Sequence, residues 1–316
     1  MSFQILVTLG PASDALLEPL MDAGASAFRL NTAHMSLEKT TLLAQRIRSL
    51  KSDFPIVFDL QGAKMRLGVF PPTQVRQGEE VVFARDPFGT ASIPVEHSEF
   101  YEQVSPGEMV SVDDDRLRFE VLWKDIQSAL CRVLADGVLK PRKGINVTDH
   151  PVELRSLREF DQQVCLLAAQ LKETSCAISF VKDGREATWV RQLAPESPVT
   201  AKIERAEAVA NLNEISEQVD SVWICRGDLG AQIGLQRMAS WISSLAPLSV
   251  SRPVWMAGQV LQHLTAHPDP TRSEVCHLAD LIRRGYAGIV LSDETAIGQD
   301  PLRAVRTASS LVRELS

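Results

Sequence analysis

The feature that most constrains this chain is a rhythm. Short apolar runs, each followed by polar loop residues and then by apolar residues at helical spacing, recur about eight times along 316 residues. Strand-like runs fall at about Ile5–Thr8, Ala27–Asn31, Ile56–Asp59, Cys176–Phe180, Val199–Ile203, Ser221–Cys225, Val254–Met256 and Gly288–Leu291. Between them, Leu37–Leu50, Leu157–Leu171, Met238–Leu245 and Val275–Arg284 carry the helical period, and a stripe from Leu302 to Leu315 closes the series. Strand and helix alternating in this way predict an α/β fold, a parallel sheet closed into a (β/α)8 TIM barrel.

One interval breaks the rhythm. From about Leu67 to Lys143 the pattern alternates with a period of two between turn residues: Val81-Val82-Phe83, a loop with Asp86-Pro87-Phe88-Gly89, then Met109–Val112, Leu117–Val121 and Ala129–Leu134. This predicts a small β-barrel domain, 67–143, inserted after strand 3 of a catalytic barrel formed by 1–66 and 144–316. An insertion at that end of a barrel is a lid candidate.

Composition narrows the partners. A net charge of -7 with no lysine- or arginine-rich run gives no footprint for nucleic acid or an anionic membrane. No apolar run approaches a membrane span and the N-terminus shows no cleavage signal, so a cytoplasmic protein is expected. Five cysteines without C-x-x-C spacing read as buried free thiols.

Barrel chemistry sits at the C-terminal ends of the strands, which directs attention to the polar residues there. Strand two ends in Arg29 and Asn31 with His34 beyond; strand three ends in Asp59, followed by Gln61, Lys64 and Arg66. Strand five supplies Lys202 and Glu204, strand six runs into Arg226-Gly227-Asp228, strand seven into Gly258-Gln259 and strand eight into Ser292-Asp293-Glu294. Lys202 and Glu204 are two apart and so share a face. They read either as a solvated edge ion pair or as a lysine meeting a charged substrate beside a metal-holding carboxylate. Glu204 and Asp228 are a pair of hard oxygen ligands suited to Mg2+ or Mn2+, although Asp228 also reads as a helix cap. Gly227 allows close backbone approach to an anion, and Arg29, Arg66, Lys143 and Lys202 offer the positive charge that phosphoryl transfer requires.

At these residues the sequence resembles the pyruvate kinase family. Thr8-Leu9-Gly10-Pro11-Ala12-Ser13, Arg29-Leu30-Asn31-Thr32-Ala33-His34 and Asp59-Leu60-Gln61-Gly62-Ala63-Lys64-Met65-Arg66 are similar to its early motifs. Val112-Asp113-Asp114, Lys143-Gly144-Ile145-Asn146, Lys202-Ile203-Glu204, Arg226-Gly227-Asp228-Leu229-Gly230, Pro270–Glu274 and Leu291–Ala296 follow in the family's order. The resemblance implies phosphoryl transfer between phosphoenolpyruvate and ADP, giving pyruvate and ATP. It implies Mg2+ or Mn2+ on Glu204 and Asp228, Lys202 on the transferring group and the enolate, and the backbone at Gly227 and Asp228 on the substrate carboxylate. Arg29, Asn31, His34, Arg66 and Lys143 would meet the nucleotide phosphates, and Asn31 with Asp59 would belong to a monovalent-cation site.

The departures from the family pattern carry their own expectations. Gly258 stands where the family has a threonine that contacts the substrate carboxylate and serves enolate protonation; a water or a bulkier substrate would fill the space. Ala33 replaces a serine of the cation site, and Lys64 stands where most members have glutamate, so K+ is not expected to be required. The family's C-terminal domain has no counterpart before Ser316, so effector control through it is not expected, while homo-oligomerisation through the barrel domain stays open. Two other readings remain: a metal-dependent lyase or decarboxylase acting on another 2-oxo acid, and a catalytically impaired regulatory protein.

Overall fold

A computed structural model of the protein describes residues 3–86, 92–113, 115–150 and 152–315. Eight parallel strands close into a barrel: β1 (Gln4–Leu9), β2 (Ala27–Asn31), β3 (Ile56–Leu60), β4 (Thr174–Ile178), β5 (Val199–Ile203), β6 (Ser221–Cys225), β7 (Val254–Ala257) and β8 (Gly288–Leu291). Each strand pairs with its sequence neighbours, and β8 returns to β1 with Gly288 opposite Gln4. β3 and β5 are buried at all five positions, the uninterrupted pattern of parallel strands covered on both faces.

The one strand displaced from its expected place is β4. It ends at Ile178, because Phe180 takes a left-handed φ of 58° and breaks the extended backbone.

Most helices between the strands bury the faces that their spacing announces, but Leu235–Ser244, where the reading of Met238–Leu245 falls, buries no residue. In Leu37–Leu50 the buried residues are Thr40, Leu43, Ala44 and Ile47, and Ser36 caps the start by accepting from Lys39 N at 3.2 Å. Helix Pro301–Leu315 opens on proline, whose missing N–H costs nothing there, and buries Pro301, Ala304, Val305 and Ala308. Helix Arg272–Arg283 starts with a reciprocal capping box between Thr271 and Glu274.

The chain divides into two compact units, residues 1–62 with 159–316, and residues 63–158. The second unit takes in residues on either side of the expected 67–143 insert. Its six-stranded sheet runs, in spatial order, 145–147, 109–112, 117–124, 128–133, 80–84 and 92–94, and a ribbon pairs 137–139 with 73–75. Phe83, Phe100 and Phe119 form its aromatic centre, Phe83 meeting Phe119 edge-on at 5.3 Å. A short helix, Ser98–Gln103, was not evident from the alternating pattern; it buries Phe100 and Tyr101 in that centre. Pro87, Phe88 and Gly89 of the expected loop and Asp114 of the Val112-Asp113-Asp114 motif lie outside the described residues. Among the described residues no helix is long and apolar enough to cross a membrane. Four cysteines are buried and Cys276 is exposed, all of them free.

Candidate active site

The C-terminal ends of β2, β3 and β5 bring three charged side chains onto one another. Asp59 is 2% exposed and Lys202 8%, so neither is a solvated edge residue. Arg29 donates through Nε and Nη2 to Asp59 Oδ2 at 2.7 and 2.5 Å, and through Nη1 to Thr8 Oγ1 at 2.9 Å. Lys202 Nζ lies 3.1 and 3.3 Å from the two oxygens of Asp59, donates to Ser179 Oγ at 2.8 Å, and pairs with Glu204 Oε1 at 3.1 Å. The shared face predicted for Lys202 and Glu204 is therefore present, and it points into the barrel's rim.

Burial would strip these groups of charge were they alone. It opposes the Lys202 ammonium, but Asp59 and Glu204 outweigh it and hold the pKa above that of an ordinary lysine. Burial likewise opposes the Asp59 carboxylate, and Lys202 and Arg29 hold it below the usual range. Glu204 goes the other way. Its burial raises the pKa, Lys202 offsets this in part, and Asp228 and Asp59 push it further up. The other oxygen of Glu204 accepts from Phe180 N at 2.8 Å, a bond that the left-handed turn at Phe180 makes available.

A cavity of about 140 Å3 opens beside this cluster. Arg29, Lys202, Glu204 and Asp228 form its charged wall, and Gly227 and Gly258 lie at its edge. Its floor is apolar: Cys225, Ala257 and Val290 are register partners across β6, β7 and β8, and Trp223 lies two residues deeper on β6. Sequence reasoning passed over this floor, although the alternation that paired Lys202 with Glu204 also puts Trp223 and Cys225 on one face.

Asp228 lies half-buried in the first turn of helix Arg226–Ile233, with Gly227 exposed before it. Among the described residues no group of three or more His, Cys, Asp or Glu side chains could hold a metal ion. Glu204 and Asp228 nonetheless offer two carboxylates on one cavity wall, a donor set that suits an ion keeping several waters. The residues fit Mg2+ or Mn2+.

The remaining expected residues are distributed more widely. Asn31 is the register partner of Asp59 and half-buried, and His34 is exposed in the short 3-10 turn that follows. Gln259 is exposed with φ 55°. In the second unit, Lys143 Nζ pairs with Asp113 Oδ1 at 2.7 Å, Arg66 donates to Arg142 O at 3.0 Å, and Lys64 lies against Gly144.

One supporting residue, Asp161, escaped sequence reasoning, and a second, Arg226, was placed by it without its partners. Asp161 accepts from Gly62 N at 2.9 Å and so fastens the turn after β3; an acid in a first helical turn gave no sign of this. Arg226 donates to Gly258 O at 2.9 and 2.6 Å and to Gln259 O at 2.6 Å, so its charge serves the β7 turn. Glu294, at the end of β8, is buried and spends both oxygens on backbone N–H groups of Leu261 and Ser292.

A closed parallel barrel with charged side chains gathered at its C-terminal rim is of the class of (β/α)8 barrels, whose sites lie at that rim. The model of the pyruvate kinase barrel domain matches residues 2–305. The pyruvate kinase of Methylorubrum extorquens is 30% identical over 99% of this chain and 68% of its own, and that of Borreliella burgdorferi 29% over 96% and 66%. The plastidial pyruvate kinase 2 of Arabidopsis thaliana is 30% identical over 95% of this chain and 55% of its own. The chain belongs to the pyruvate kinase family. It spans about two thirds of the length of the bacterial relatives.

Proposed function

We propose that this site transfers a phosphoryl group between the enol phosphate of a 2-oxo acid, phosphoenolpyruvate in the first instance, and ADP. The P–O bond to the enol oxygen breaks, a P–O bond to the terminal oxygen of the diphosphate forms, and the enolate takes a proton at C3 to become the 2-oxo acid. The observation that carries this reading is a buried Lys202 ion-paired between Asp59 and Glu204 at the edge of an anion-sized cavity. An ammonium preorganised in a dry site stabilises charge that develops on a transferring phosphoryl group and on an enolate oxygen.

The carboxylates on the cavity wall support a divalent ion: Glu204 and Asp228 would hold it beside Lys202 and Arg29. When bound, it would supply charge neutralisation for an anionic substrate. The backbone at Gly227 and Asp228 would then hold the carboxylate, and Arg29, Asn31, His34, Arg66 and Lys143 the nucleotide phosphates. K+ is dispensable on this reading, and the protein works in the cytoplasm.

The test is ATP formation from phosphoenolpyruvate, ADP and Mg2+, with Lys202→Met alongside. We expect turnover by the wild type and its loss in the variant. No turnover of any enol phosphate would replace this reading with a catalytically impaired protein, and acid conversion that ignores ADP with a lyase; an active Lys202→Met would remove the mechanism.

A further inference from the structure

Helix Arg226–Ile233 opens on a guanidinium one residue before Gly227, a group suited by its chemistry to meet an anion directly. The structure spends it on the neighbouring loop instead. Arg226 Nε donates to Gly258 O at 2.9 Å, and Nη2 donates to Gly258 O and Gln259 O, both at 2.6 Å. These carbonyls belong to two consecutive left-handed residues, Gly258 at φ 80° and Gln259 at φ 55°. A left-handed residue that carries a side chain is sparsely populated and persists where its surroundings hold it. At Gln259 the holding group is Arg226.

The loop beyond is tied in the same manner. The peptide N–H groups of Leu261 and His263 donate to Glu294 Oε1 at 3.2 Å and to Glu274 Oε1 at 2.9 Å. Charged side chains from the first turns of three helices thus grip the segment after β7 by its backbone, Arg226 by carbonyls and the two glutamates by N–H groups. The segment is a fixed wall of the cavity, to which Gly258 contributes.

Fixing that wall matters most where it meets the helix start. A Cβ built on Gly258 would stand 3.5 Å from Gly227 N and 3.7 Å from Arg226 N, so the turn lies against the first amides of the helix. Released by Arg226, the turn is free to leave its left-handed conformation and to shift over those amides or away from them. The metal side rests on other bonds, since Glu204 is fastened by Lys202 and Phe180 N.

We infer that, resting on the phosphoryl-transfer reading above, Arg226 is a positioning residue: by clamping the β7 turn beside the amides of Gly227 and Asp228 it sets the affinity of the site for the carboxylate of a 2-oxo acid. It does so without touching the substrate and without holding the metal.

The experiment measures pyruvate binding by calorimetry at saturating Mn2+, Mn2+ binding by electron paramagnetic resonance, and the urea midpoint, in the wild type, Arg226→Lys and Arg226→Met. Lysine keeps the charge but cannot present a planar fork to two carbonyls. We expect pyruvate to bind about tenfold more weakly in Arg226→Lys and more weakly still in Arg226→Met, with Mn2+ affinity within about threefold of the wild type in both. A merely structural arginine would lower the urea midpoint and leave the pyruvate affinity of the folded protein unmoved. Pyruvate affinity within about threefold of the wild type in both variants therefore overturns the inference. So does a fall in Mn2+ affinity equal to that for pyruvate, which marks loss of the whole site. The binding arm needs no turnover: a wild type that binds pyruvate yet forms no ATP overturns the phosphoryl-transfer reading alone, and the pyruvate affinities still decide the role of Arg226.

Discussion

Arg29 binds a single oxygen of Asp59 twice, at 2.7 and 2.5 Å, in a site where the carboxylate is 2% exposed. With Lys202 on the same carboxylate, Asp59 is the counter-ion of two cations, Lys202 buried and Arg29 half-buried. Removing one partner of a buried pair leaves the other charge uncompensated, which costs about 3–5 kcal/mol. Asp59→Asn should therefore lower stability by an amount of that order, read from the urea midpoint. A change below about 1 kcal/mol would mean that water reaches the cluster.

Lys202→Met should lower kcat by roughly 10²–10³-fold, the usual cost of one preorganised charge partner. Stability should fall as well, because Asp59 and Glu204 lose a cation, although methionine fills much of the same space. Circular dichroism and steady-state kinetics on the same preparation separate the two effects.

Glu204→Gln should weaken Mn2+ binding by about tenfold or more, followed by electron paramagnetic resonance without any substrate. Asp228→Asn should do the same. Unchanged Mn2+ affinity in both variants would place the ion elsewhere.

If both oxygens of Asp59 are committed to Arg29 and Lys202, a monovalent cation has little left to bind there. Turnover in tetramethylammonium buffer should accordingly lie within tenfold of that in KCl at equal ionic strength. A larger stimulation by KCl would restore a functional cation site around Asn31 and Asp59.

The second unit has its own pH dependence through His97. Burial holds its pKa below the ordinary 6.5, Arg158 adds to this, and Glu99 and Glu96 oppose it. The folded state thus keeps a neutral ring while the unfolded chain binds a proton below about 6.5. Stability is full above that value and falls as pH drops through it towards the depressed folded value. Denaturant midpoints at pH 7.5 and 5.0 should show the decline, and His97→Gln should reduce it.

The barrel was legible because parallel strands and amphipathic helices write their burial directly into the chain. β2, β5, β6 and β8 begin and end where the apolar runs do, and so does helix Leu37–Leu50. The pairing of Lys202 with Glu204 was legible for the same reason, since alternation alone puts them on one face. What stayed hidden depends on contacts distant in sequence. Nothing local to Phe180 announces a left-handed residue; that conformation is sustained by a bond to Glu204, 24 residues on. Asp161 reaches Gly62 across 99 residues, and Arg226 reaches the β7 turn across 32 and 33. The floor of the cavity was concealed differently. Cys225, Ala257 and Val290 look like any other core residues, and only closure of the barrel sets them in one row beside the charges.

Glu204 has both carboxylate oxygens tethered, one to Lys202 and one to the peptide N–H of Phe180. A carboxylate fixed at both ends cannot swing to chelate. It therefore acts as a gauge of ionic size: on the proposed reading it offers a single remaining lone pair per oxygen, which suits a small octahedral ion that retains its waters and disfavours Ca2+, whose six to eight ligands call for bidentate, yielding carboxylates. Ion selectivity in this protein would then originate in the backbone turn at Phe180.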